Sequence, residues 1–211
     1  MDIKEFVKRY KDAVGETVPL PIAFGYSNQP VSEIKKVPKC MIAAISKVRN
    51  GESLTLCSEN VLCGGGGLYT AFREMPERVP MFVSEIERYK KTKEMVVNYV
   101  KAMDIRLTEK PYLNFVRVDQ LESWDGVEAL LFFATPDVLS GLCMWAFYDN
   151  NALDAVCTPF ASGCSGIITF PVNENRNNGR RCFKEMMETM NDSYLYQKAF
   201  SVLRKRIDKN V

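Results

Sequence analysis

Tyr112-Leu113-Asn114-Phe115-Val116-Arg117-Val118 is the stretch on which the fold turns. Leu113, Phe115 and Arg117 alternate with Asn114, Val116 and Val118, the two-residue period of a strand. Just upstream, residues 91–103 set Met95, Val96, Tyr99, Val100 and Met103 among lysines and glutamates, the clearest amphipathic helix of the chain. Downstream, Val127 to Ala134 reads as a second, more buried strand. Pro136 then opens a helix carrying Leu139, Leu142, Cys143, Ala146 and Phe147. Helices and strands in irregular alternation argue for an α+β fold.

Working outward, Ile3, Phe6, Val7 and Tyr10 share one face of a helix over residues 2–13, with Gly15 as its stop. Leu20 to Tyr26 reads as a short strand behind prolines. The apolar run from Cys40 to Val48 fits a buried helix or a strand, which periodicity cannot separate. Asn50-Gly51 turns the chain into a strand at Ser53–Cys57. A glycine tract follows, predicted as a loop feeding a helix that carries Leu68, Tyr69, Ala71 and Phe72. Thr158 to Gly166 reads as a loop of small residues, Ile167–Phe170 as a strand ended by Pro171, and Asn173–Gly179 as a polar loop. Residues 181–190 and 196–207 look helical. No repeat or linker divides the chain. The expectation is a single α+β domain over residues 1–211, with a central antiparallel or mixed sheet, flanking helices and a helical C-terminal segment at about 181–207.

Composition removes several chemistries. The chain has no histidine, so Ser-His-Asp, Cys-His and His-rich zinc mechanisms are out unless a partner supplies the imidazole. A balance of 28 basic and 26 acidic residues, mixed along the chain, gives no argument for nucleic acid. The charged start Met1-Asp2-Ile3-Lys4-Glu5 is unlike a signal peptide, and no apolar run reaches the ~18 residues of a membrane helix. These features, with seven widely spaced cysteines, predict a soluble cytoplasmic protein with free thiols.

Two segments carry the site expectation: Cys63-Gly64-Gly65-Gly66-Gly67-Leu68-Tyr69 and Ser162-Gly163-Cys164-Ser165-Gly166. Glycine lets backbone approach a ligand, and N–H groups entering a helix favour an anion. Gly64, Gly65, Gly66, Gly67, Ser162, Gly163 and Ser165 are therefore candidate ligand contacts, and Cys63 and Cys164 candidate nucleophiles of lowered pKa. A P-loop is excluded because Leu68 stands where the lysine should come, and no acidic residue completes a dinucleotide fingerprint. Cys40, Cys57, Cys63 and Cys164 are weak metal candidates, since no tight Cys-x2-Cys pair occurs. Structural turns and core thiols account for the same residues about as well. Arg180-Arg181, Glu85/Glu87 and Glu185/Glu188 read as solvated surface, and Trp145 as core.

Four stretches, in this order, resemble the prokaryotic proteins grouped as domain of unknown function 169. They are Pro19-Leu20-Pro21-Ile22-Ala23, the segment from Cys40 through Asn50-Gly51 to Ser53–Cys57, the Cys63–Tyr69 element, and Thr158–Gly166. The resemblance spans roughly residues 2–172 and fades beyond Cys182, where Glu188–Tyr194 lacks the arginine that members often carry. It implies an α+β protein of unassigned function and brings neither reaction nor ligand.

Three function classes stay open. One is a binding protein for an unknown small molecule or anion at the Cys/Gly-rich loops. The second is a thiol or metal-thiolate enzyme, with iron–sulfur as one form. The third is a structural or interaction protein that forms a homodimer through its apolar helices. No cofactor is specified by the sequence.

Overall fold

The computed structural model describes residues 1–37, 40–149, 151–157 and 162–177. Its frame is a four-stranded antiparallel sheet in the order β2-β3-β1-β4. The strands are β1 (Ile22–Ser27), β2 (Leu54–Leu56), β3 (Tyr112–Arg117) and β4 (Ala129–Leu131). The fold is α+β, as the irregular succession of helices and strands predicts, and β3 is the strand that the alternation of Leu113, Phe115 and their neighbours predicts. β1 and β3 run together over their full length, with Phe24 opposite Phe115 and their rings stacked at 5.1 Å. On one face of β3 Leu113 and Phe115 are fully buried, while Arg117 at its end is half-buried.

Helices cover both faces. On one side α1 (Ile3–Val14) and α6 (Pro136–Phe147) bury Phe6, Tyr10, Val138 and Trp145 against Ala23 and Val118. On the other, α2 (Met41–Val48) sends Met41, Ile45 and Val48 onto Ile22, Phe24, Leu56 and Phe115. A smaller cluster joins α3 (Gly64–Tyr69) to α5 (Lys93–Ala102) through Leu68, Tyr69, Val96 and Val100.

The ends of α1 follow from its residues. The Asp2 side chain accepts the Glu5 N–H at 2.8 Å, and Gly15, at φ 97°, takes the left-handed conformation that ends the helix. α2 resolves the helix-or-strand ambiguity of Cys40–Val48 in favour of helix. α6 starts at Pro136 but turns a different face inward than its apolar residues suggest. Val138, Gly141 and Trp145 are buried, while Leu139 and Phe147 are 55% and 39% exposed.

Three expectations need correction. β4 spans only Ala129–Leu131, because Gly126 (φ 75°) bends the chain and the Glu128 N–H is the first to reach the Phe24 carbonyl. Ile167–Phe170 is helical rather than extended. A π turn over Ser165–Thr169 leads into α7 (Phe170–Asn177), which also absorbs the start of the expected polar loop. Ile168 and Val172 reach the sheet core, and that burial overrides the β-branched propensity. Pro171 lacks a donor, and as the second residue of α7 it stands just after the widened turn, where the regular ladder is already interrupted. The expected helices at 181–190 and 196–207, with Cys182, Arg180-Arg181 and Glu188–Tyr194, lie outside the described residues.

Candidate functional site

The glycine tract is not a loop. Gly64–Tyr69 is itself the six-residue helix α3, capped by Cys63. The Cys63 Sγ accepts the Gly66 N–H at 3.2 Å, and the Cys63 carbonyl accepts the Gly67 N–H at 2.9 Å. Those donors are therefore spent inside the helix rather than offered to an anion. At Gly66 and Gly67 the packing leaves no room for a side chain. A Cβ on Gly66 would sit 2.9 Å from Val61 Cγ1, and one on Gly67 would run into the Arg73 guanidinium. That guanidinium donates to the Val61 and Cys63 carbonyls and so ties the helix to the preceding turn.

The second segment is also the start of a helix. Ser162 acts as its cap: its carbonyl accepts the Gly166 N–H at 2.9 Å and its hydroxyl the Ser165 N–H at 3.3 Å. Gly163 and Cys164 are already helical. Residues 158–161 of this element lie outside the described residues.

The two segments face each other across a cavity of about 280 Å³. Cys63, Gly65, Gly66 and Tyr69 form one wall, and Ser162, Gly163 and Cys164 another. Cys40 and Ile42, at the start of α2, add a third thiol and an apolar contact. The remaining lining comes from α5 through Val96 and Tyr99, and from residues 79–90. In that last segment α4 (Val79–Met81) runs into a π turn at Phe82–Ile86. Both described π turns thus adjoin the cavity, a placement that such turns favour.

Burial grades the site. Val96, Val79 and Tyr69 are 1%, 6% and 7% exposed and make the floor, whereas Cys40, Cys63, Glu87 and Tyr89 are exposed at the rim. Lys90 stands beside them with its ammonium 4.4 Å from the Tyr99 ring centroid. Burial pushes the Cys164 thiol up to about 12, with the Cys63 and Cys40 thiols adding to the rise. This corrects the expectation of a lowered Cys164 pKa. Burial also raises the Tyr69 phenol, helped by Tyr99 and opposed by a hydrogen bond with Ser162.

Not every predicted residue reaches the site. Gly64 packs toward Pro76 and Arg78, and Gly67 toward Arg73; neither lines the cavity. Ser165 is fully buried, its hydroxyl 3.0 Å from that of Ser162. Cys57 is 2% exposed and sits away from the cavity, its N–H donating to Asn60 Oδ1 at 2.8 Å. Among the described residues no three acidic or cysteine side chains are grouped to hold a metal ion. Tyr69 could have been found from sequence, because it lies four residues after Gly65 on the same helix face. Phe82, Glu87, Lys90 and Tyr99 carry no such signal, since the chain assembles the site from separate segments.

The model of the family of domain of unknown function 169 (DUF169), described as uncharacterised ArCR, matches residues 16–194. The chain belongs to the DUF169 family. The match covers every segment that lines the cavity and continues beyond the point where the sequence resemblance fades. No curated protein and no solved structure matches this DUF169 chain. Among its described residues no helix is long and apolar enough to cross a membrane.

Proposed function

We propose that the chain is a cytoplasmic small-molecule-binding protein whose ligand occupies the cavity between Cys63 and Cys164. The supporting observation is the convergence of separate segments on one recess with an apolar floor and few polar groups, the usual make-up of a ligand site. The glycine helix serves this reading by leaving space: at Gly65, which lines the cavity, a side chain would stand against the edge of the Tyr69 ring, 3.7 Å from Cε2. All cysteines among the described residues are free thiols, which suits a reducing compartment.

The test is saturation-transfer NMR on the full chain with indole, naphthol and naphthoate as probes, comparing wild type with Gly65→Leu. Saturable binding of any probe that is lost on substitution supports the reading. Binding of none, or binding untouched by the substitution, overturns it. One observation favours a second reading as a thiol enzyme. Cys63 is an exposed thiol opening on the cavity, so an electrophilic ligand held there would meet a nucleophile.

A further inference from the structure

Resting on the reading of the cavity as a ligand site, we propose that it takes an uncharged aromatic molecule of one or two rings bearing a single hydrogen-bonding oxygen. The volume sets the size. About 280 Å³ is close to twice the ~150 Å³ of a dry cavity that takes up benzene.

The floor sets the character. Val79 and Val96 are apolar and buried, and Tyr69 brings an aromatic face with its hydroxyl beside Ser162. The inner polar groups are a phenol, an alcohol and the Cys164 thiol, all uncharged near neutral pH by their ordinary acidity, which burial of the phenol and the thiol weakens further. The charged lining residues, Glu87 and Lys90, belong to the loop at the rim, and Lys90 is engaged with the Tyr99 ring. An anion carried to the floor would lose its water without meeting a cation. The Tyr69 hydroxyl keeps hydrogen-bonding capacity beside its bond with Ser162, and a wholly apolar molecule would strip water from it and return no hydrogen bond. A ring with one oxygen avoids both costs, and Tyr69, Tyr99 and Phe82 offer it aromatic surfaces.

The experiment compares dissociation constants for naphthol, naphthoate and naphthalene, measured by the same NMR method on wild type, Gly65→Leu, Tyr69→Phe and Ser162→Ala. Naphthol is expected to bind about tenfold more tightly than either of the others. Tyr69→Phe, or Ser162→Ala if the first variant fails to fold, should remove that advantage over naphthalene and leave naphthalene unchanged. Naphthoate binding as tightly as naphthol, lost in Gly65→Leu, overturns the ligand class and leaves the cavity reading standing. No binding of any probe overturns both.

Discussion

Glu128 holds Arg176 through two hydrogen bonds, Nε to Oε2 at 2.6 Å and Nη2 to Oε1 at 2.7 Å. The pair ties the turn before β4 to the end of α7, and the guanidinium lies 5.1 Å from the centroid of the Tyr26 ring. The Glu128 side chain is 14% exposed and that of Arg176 42%, so solvent screens one end of the pair.

Glu128→Gln should lower stability by about 1–2 kcal/mol, below the cost of breaking a fully buried pair. A double-mutant cycle with Arg176→Leu, read by urea unfolding, should give a coupling of about 1 kcal/mol. A coupling near zero would mean that the bidentate contact contributes nothing.

Alkaline pH should destabilise the protein in a defined window. Burial pushes Cys164 from an ordinary 9.0, and Tyr10 from 10.0, up to about 12 in each case. The folded state then holds these protons more tightly than the unfolded chain. Their contribution is intact below about pH 9 and is lost as pH rises toward 12. Cys164→Ala should shed about 1 kcal/mol less than wild type between roughly pH 8 and 10. Parallel pH profiles from urea unfolding would contradict this.

Thiol labelling should separate the cysteines by exposure. Iodoacetamide near neutral pH should modify the exposed Cys40, Cys63 and Cys157 before the buried Cys57 and before Cys164. Saturating naphthol should slow labelling of Cys63 several-fold and leave Cys157, which lies outside the cavity, unchanged. Peptide mass spectrometry at timed intervals reads both outcomes.

The glycines of α3 should respond unequally to alanine. Gly66→Ala sets a methyl 2.9 Å from Val61 Cγ1 and should cost about 1–2 kcal/mol. Gly65→Ala meets only the edge of Tyr69 at 3.7 Å and should be neutral, or stabilising by about 0.5 kcal/mol. Thermal unfolding midpoints distinguish the two.

Much of the frame was legible because its signals are local. The alternation around Phe115, the amphipathic helix through Val96 and Val100, and the Gly15 stop of α1 each express one element's own periodicity or cap. The glycine tract misled because four glycines have poor helix propensity; its Cys63 cap, the Thr70 hydroxyl bond to the Gly66 carbonyl and the burial of Leu68 and Tyr69 against α5 hold the helix. Ile167–Phe170 misled in the opposite sense, since a short apolar run looks alike in a strand and in a buried helix. For the site, Cys63 and Cys164 stood out as unusual local chemistry. Phe82, Glu87 and Lys90 come from an unremarkable stretch and acquire their place through the packing of α4 and α5.

The π turn at Ser165–Thr169 has a consequence for how this protein can vary. A residue added to a helix turns everything beyond it by about 100° about the axis. Upstream of the turn Cys164 lines the cavity and also touches the sheet core; Ile168 within the turn and Val172 beyond it join that core, and Arg176 reaches Glu128. The wider turn therefore sets the angle at which Val172 and Arg176 meet the sheet while Cys164 keeps its place at the recess. A chain shortened by one residue here would keep its composition and its helicity, yet would have to choose between lining the recess and anchoring to the sheet.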